Sequence, residues 1–547
     1  MTGFTPITFT RDGQVLTALS SAPEHGLECH TLPAASQPGK LVIEFALPVA
    51  GVTGFWYGSL QPGVKMQLEW NISFVTGAQY QFPVFALVGR DCRCRAAVTL
   101  SDLMDDARFE AKLDQEHEVY QIRITVAAAP GEALTLRIDR RGLELDAMLA
   151  DWRKTLAPVE CRFPDAAWEP VYCTWYARHG AVDAAWLEPT AARAAELGFR
   201  TLIVDDGWCY DEYCRVNPDT IKNWYRTIGD YRVSELKFPR FAEHVRRVRE
   251  LGMRYLVWVA PHLIGFDSDF YRDHPDAVLE PCVEGYRRLK IGDAAACQLI
   301  ADRLTKLMRD NGLDGLKIDF LDIVEPDPDA PNGRATYDFV RKLTDSLRAL
   351  RPDALIEFRQ NYANWAMLPL ATQFRAGDAP FDALKNFGRL AEIRLVLGDG
   401  VPVHADPAFW SRHDGMEGVA RHMIAMLAGV PMLSMDLLTL TAAEERVIRH
   451  WLGFYAEHRT VLNHGAWRVH LQGSEIAALT AEDEHEKVIL LNDGCYLPAL
   501  PAVSGKPVYI ADLSERAVAL PGAELFGPDG KAVSGAELPV GGLGIVR

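Results

Sequence analysis

Between about residues 170 and 440 the chain repeats one rhythm: a short apolar β-type run, a polar loop, then, in most cases, a helix-like segment. The runs are Val171–Trp175, Thr201–Val204, Arg254–Val259, Gly315–Phe320, Ala354–Phe358, Thr372–Arg375, Val401–His404 and Val430–Met435. Helical segments are expected over Ala191–Leu197, Phe241–Leu251 and Ala295–Arg309. Eight strands separated mostly by helices are what a closed (β/α)8 barrel requires. A doubly wound open sheet is the competing architecture, but it would usually carry a Gly-rich phosphate turn after its first strand, and none is found.

The flanks read differently. Short β-type runs such as Leu41–Phe45, Met66–Trp70, Phe82–Leu87 and Leu134–Ile138 alternate with turn signals before residue 150, which suggests an antiparallel sandwich. After Val469 the runs Ile476–Leu479, Val488–Leu491, Pro507–Ile510 and Val540–Val546 suggest a small antiparallel β domain. The expected fold is therefore α/β, a central TIM barrel (156–465) between an N-terminal β-sandwich (1–155) and a C-terminal β-sandwich domain (466–547).

Composition narrows the function. A formal net charge of −17 argues against nucleic-acid or anionic-membrane surfaces, which need a basic face. No apolar stretch is long enough to span a bilayer. Met1–Pro6 has neither a basic nor an apolar leader region, so the expected compartment is the cytoplasm. The ten Cys lack paired zinc spacing and read mostly as buried thiols, with a disulfide between Cys209 and Cys214 as the minor reading. No cofactor is called for, the expected partner is a small carbohydrate or glycoside, and a homo-oligomer is compatible with the sequence.

The strand ends carry the chemistry. They offer Asp205, Asp206, His262, Lys317, Asp319, Arg359, Arg375, Asp378, His404 and Asp406. Paired carboxylates among cations and aromatics fit glycoside hydrolysis, in which one carboxylate attacks or stabilises the anomeric carbon and the other protonates the leaving oxygen. Lys317 is expected to keep Asp319 ionised, while Asp378 needs a raised pKa to act as the acid. Asp205, Asp206, Asp319 and His404 could instead ligate a metal through oxygen and nitrogen. That reading suffers from Lys317 standing two residues from a ligand. Trp175 and Trp208, at strand tips, are candidate sugar platforms; Trp258, inside a strand, is expected to be packing. Tyr210, Trp224 and Tyr225 add to the aromatic set.

Several motifs, in order, resemble the barrel of the family-36 α-galactosidases. They are Val204-Asp205-Asp206-Gly207-Trp208, Gly229-Asp230-Tyr231 with Lys237-Phe238-Pro239, Gly252–Trp258, Asp269–Asp276, Gly315–Phe320 and Phe454–Arg459. The resemblance implies a retaining α-glycosidase with Asp319 as nucleophile and Asp378 as acid/base. It also implies that Asp205 and Asp206 bind the axial O4 and O6 of galactose, that Lys317 and Arg287 contact hydroxyls, and that Arg375 lies near the acid. Family members usually have Glu where His262 stands, and a Cys and Gly-rich segment where Arg359-Gln360-Asn361-Tyr362-Ala363-Asn364 stands. Arg359 and Asn361 should alter contacts near the sugar 2-position, and His262 and Arg359 should make the pocket more cationic, which would suit an acidic, modified or differently substituted sugar or an unusual aglycone. A transglycosylase of the raffinose-synthase type, a metal-dependent hydrolase and a carbohydrate-binding protein that has lost catalysis are the alternatives.

Overall fold

A computed structural model describes residues 6–547 except 21–23, 67–68, 130, 214–224, 284, 324–331 and 500–504. Trp224, Cys214 and most of the Asp327–Gly333 loop thus lie outside the described residues.

Eight parallel strands form the central sheet: β1 (Val171–Cys173), β2 (Thr201–Val204), β3 (Arg254–Val259), β4 (Gly315–Ile318), β5 (Leu355–Arg359), β6 (Gln373–Arg375), β7 (Val403–His404) and β8 (Met432–Leu433). They pair in sequence order, β1 also pairs with β8, and a parallel bridge between His404 and Val430 links the β7 and β8 sides. The strands are short, apolar and almost wholly buried because helices cover the outside while side chains fill the inside.

The helices extend beyond the periodic segments that announce them, because caps set their ends. Ala184–Leu197 starts at Asp183, whose side chain accepts from the Trp186 amide. Ala294–Asn311 starts at Asp293 and ends at Gly312, whose φ of 68° suits glycine. Phe241–Glu250 follows the sequence closely.

Two antiparallel sheets of six and seven strands precede the barrel. Of the expected strand Met66–Trp70, residues 67–68 lie outside the described residues; Lys65–Met66 forms a short strand and Asn71–Thr76 the next. At the C-terminus a seven-stranded sheet holds Glu475–Glu482, Lys487–Leu491, Val508–Asp512 and Leu543–Val546. This sheet is mixed, since Lys487–Leu491 runs parallel to Val508–Asp512. Among the described residues Cys209 is a free thiol.

Two glycines permit close backbone approaches, one just past the tip of β2 and one at the start of β4. A Cβ on Gly207, where φ is 109°, would lie 2.4 Å from Gly180 Cα. One on Gly315 would lie 1.9 Å from the Leu355 carbonyl oxygen, within the β4–β5 pairing. Gly315→Ala is therefore expected to destabilise the protein by about 1–3 kcal/mol through overpacking; an unchanged urea midpoint would refute this.

Candidate active site

Register places the side chains of the barrel mouth in two levels. Trp258, Lys317, Glu357 and Gln373 are matched across β3 to β6. Because strand side chains alternate, Asp319 and Arg359, two residues beyond Lys317 and Glu357, point to the same side one level higher. Arg375 is opposite Arg359 on β6.

Asp319 and Asp378 are brought together by one cation. Arg359 Nη1 donates to Asp319 Oδ1 at 3.3 Å, and its Nη2 donates to Asp378 Oδ2 at 3.1 Å. The guanidinium also lies over the Phe320 ring, 5.6 Å from its centroid. Phe320 adopts φ 57°, rare for an aromatic residue, and its amide donates to Asp319 Oδ1 at 2.9 Å. The Trp258 indole N–H donates to the other oxygen, Oδ2, at 3.1 Å. Trp258 thus has a role at the carboxylate that its position inside a strand did not suggest.

Both carboxylates are held ionised. Burial alone would raise Asp319, but Arg359, then Lys317 and Arg375, more than offset it and lower its pKa. Arg359 therefore has the larger share of the effect expected from Lys317, whose ammonium instead hydrogen-bonds Asp205. Asp378, with 44% of its side chain exposed, accepts from Arg375 Nη1 at 2.9 Å as well as from Arg359. Burial would raise its pKa too, yet Arg375, Arg359 and Lys317 hold it well below the usual carboxylate range. This is opposite to the raised pKa that an acid needs, and the cause is the two guanidiniums on its two oxygens.

The remaining expected residues divide. Asp205 accepts from Lys317 and from the Cys173 thiol, and its backbone amide is held by Thr174 Oγ1. Asp206 donates its amide to Asp205 Oδ1 and is hydrogen-bonded by the Tyr225 hydroxyl. Trp175 is half-buried at the end of β1, with its ring 4.6 Å from that of His179. Asn361 donates to Asp322, a carboxylate near Asp319 and Arg359 that sequence reasoning did not single out. Arg287 lies in the three-stranded sheet between β3 and the next long helix, its guanidinium 4.8 Å from the Tyr271 ring centroid.

Three expectations are corrected. Trp208 is fully buried and donates to the Trp258 carbonyl at 2.8 Å, so it has no face for a sugar. His404 is fully buried, with Nε2 2.7 Å from the Ala167 carbonyl and Nδ1 3.5 Å from Glu357, so its polar atoms face the interior. His262 is buried beside the Phe339 ring, and burial pushes it down to about 4; it is neutral near pH 7 and adds no positive charge. The metal reading loses its geometry as well. Its four residues are engaged with Lys317, Tyr225, Arg359 and the Ala167 carbonyl, and no cluster of three potential ligands occurs among the described residues.

The loop that carries Asp378 is tied to the connection between the N-terminal strands Gly54–Trp56 and Lys65–Met66. Arg389 donates to the Asp378 carbonyl through Nη1 and to the Leu60 carbonyl through Nε, the latter at 3.0 Å. Gln360 accepts from the Gly377 amide at 2.9 Å and donates to the Ser59 carbonyl at 3.3 Å. Nearby, the buried Glu392 receives the Gly63 amide at 2.8 Å and the Trp56 indole at 3.1 Å.

Comparison with known proteins agrees with this architecture. Residues 153–337 match the family model described as Melibiase. The chain is 27% identical over 360 residues to the bifunctional α-galactosidase/sucrose kinase AgaSK of Mediterraneibacter gnavus, covering 60% of this chain and 36% of that protein. It is 26% identical over 381 residues to an α-galactosidase of Escherichia coli, covering 64% and 50% respectively. These matches span half or less of the length of either relative. Among solved structures, a variant of the GH36 α-galactosidase AgaA from Geobacillus stearothermophilus in complex with raffinose superposes with a TM-score of 0.67. The identity is 15%, and the superposition covers 98% of this chain and 89% of that one. Over part of its length the sequence is similar to α-galactosidases, and its fold is similar to that of GH36 α-galactosidases.

Proposed function

We infer that this chain, a relative of the family-36 α-galactosidases, is a retaining α-glycosidase acting on a terminal α-galactoside or a closely related sugar. The observation that carries the reading is Arg359 touching both Asp319 and Asp378 with one guanidinium. A single planar group reaching both suits the spacing of about 5–5.5 Å of retaining enzymes better than the wider gap of inverting ones.

Asp319 attacks the anomeric carbon while a proton on Asp378 passes to the leaving oxygen, giving a glycosyl ester and the free aglycone. Asp378 then takes a proton from water, whose oxygen displaces Asp319 from the same carbon. The sum is one water added across the glycosidic bond. Trp258 and the Phe320 amide orient Asp319 for attack, and its ionised state is the one a nucleophile needs. Asp205, Asp206 and Lys317 form the polar wall for sugar hydroxyls.

The electrostatics favour a neutral sugar over an acidic one. His262 is uncharged, and the Arg359 charge is already shared by two carboxylates. On a panel of aryl α-glycosides, kcat/KM for the galactoside is expected to exceed that for the galacturonide by at least about tenfold, equivalent to 1.4 kcal/mol. A preference for the uronide would overturn the neutral-sugar reading, and no turnover of any α-glycoside would overturn the function.

A further inference from the structure

Asp378 is not the only carboxylate on Arg375. The same nitrogen, Nη1, that donates to Asp378 Oδ1 at 2.9 Å also donates to Asp406 Oδ1. Asp406 lies just beyond β7 and is fully buried. Its other oxygen receives the Tyr176 hydroxyl at 2.8 Å and the Ala379 amide at 2.7 Å. Asn386 fixes its backbone on both sides, with Oδ1 accepting the Asp406 amide at 3.0 Å and Nδ2 donating to the carbonyl at 2.8 Å. Ala379 directly follows Asp378, so Asp406 is bound to the acid loop through its backbone and through a shared cation.

We propose that Asp406 is a positioning residue for the acid/base, competing with Asp378 for one Arg375 nitrogen so that the charge on Asp406 decides how much of that cation Asp378 feels. The inference rests on Asp378 being the acid/base. When Asp406 is ionised, Arg375 is shared, and Asp378 keeps a proton more readily. When Asp406 is neutral, Arg375 acts on Asp378 alone and drives it toward the ionised form, which cannot protonate a leaving group.

The surrounding charges agree with this division. Arg375 faces Asp406 from β6, Tyr176 from the helix after β1, and Arg389 from the helix after the acid loop. Arg359 and Lys317 act on Asp378, while Asp319 and Glu357 act on Arg375 from the other side. Burial, the largest effect, together with Asp378 pushes Asp406 up to about 7, Arg375 opposing, so its charge changes within the working range. The two carboxylates titrate as a coupled pair around the permanently charged Arg375.

The test is the pH profile of kcat, which reports the complex. There a bound sugar is expected to part Arg359 from Asp378, so that the acid keeps its proton into the range in which Asp406 is charged. The profile is taken on whichever aryl α-glycoside turns over fastest and whose leaving group needs protonation. In Asp406→Asn the alkaline limb is expected to move to lower pH by about one unit or more, with the acidic limb of the nucleophile in place. Tyr176→Phe removes one donor that favours ionised Asp406, so its limb should move the same way by less; it decides the matter if Asp406→Asn does not fold. A uniform loss of activity with the limb unmoved would show a merely structural Asp406 and overturn the proposal, as would a limb moving to higher pH. If Asp378→Ala retains full activity on the same substrate, the acid/base assignment has failed instead, and this inference falls with it.

Discussion

Asp319→Ala is expected to lower kcat on an aryl α-galactoside by about 10⁴-fold or more, the scale on which removal of a nucleophile acts. The loss should be accompanied by rescue: added azide can enter the space left by the carboxylate and give a glycosyl azide of inverted configuration. The folded state should survive, since Asp319 is linked mainly to Arg359, Trp258 and its own following amide. A variant with a normal melting temperature and substantial turnover without added nucleophile would remove Asp319 from the mechanism. Retention of anomeric configuration by the wild type, followed by NMR, is the companion measurement; inversion would remove the double displacement.

Asp378→Asn is expected to cost about 10²–10⁴-fold with a poor leaving group, the range of general acid–base catalysis, and much less with a nitrophenolate that departs unprotonated. Equal losses on both substrates would argue against an acid role. The geometry adds a condition on pH. In the free protein Arg359 and Arg375 hold Asp378 ionised, so its protonated fraction falls away above a low pH. A sugar entering between the carboxylates is expected to separate Arg359 from Asp378 and so to raise the pKa of the acid in the complex. The alkaline limb of kcat should therefore lie at higher pH than that of kcat/KM, because the first reports the complex and the second the free enzyme. Coincident limbs would mean that Arg359 does not release the acid.

Much of the barrel could be read from the chain because each strand is a short buried run closed by a polar tip. Asp319 and Asp378 could be read for the same reason, as carboxylates at the ends of runs. Other features depend on how strands align. Trp258 looked like packing because nothing in a single strand announces that it is matched with Lys317 and lies beneath Asp319. Trp208 and His404 looked like pocket residues because they follow strand tips, yet such a position does not say which way the side chain turns. The charge of His262 failed for a further reason: burial beside Phe339, not composition, decides its protonation. Asp406 was visible as a strand-end carboxylate, but sharing Arg375 with Asp378 is a fact of three dimensions. The same holds for the N-terminal sheets, in whose sequence no constellation of catalytic residue types stands out.

A connection between two of their strands nevertheless reaches the loop of Asp378 through the carbonyls of Ser59 and Leu60. The barrel is thus not a self-sufficient catalytic cassette. Lifted out of the chain, it would keep Asp319 on its strand and leave the Arg389 and Gln360 supports of Asp378 half-anchored. A loop exchange at residues 59–63, far from Asp319 in sequence, would be an active-site mutation in effect.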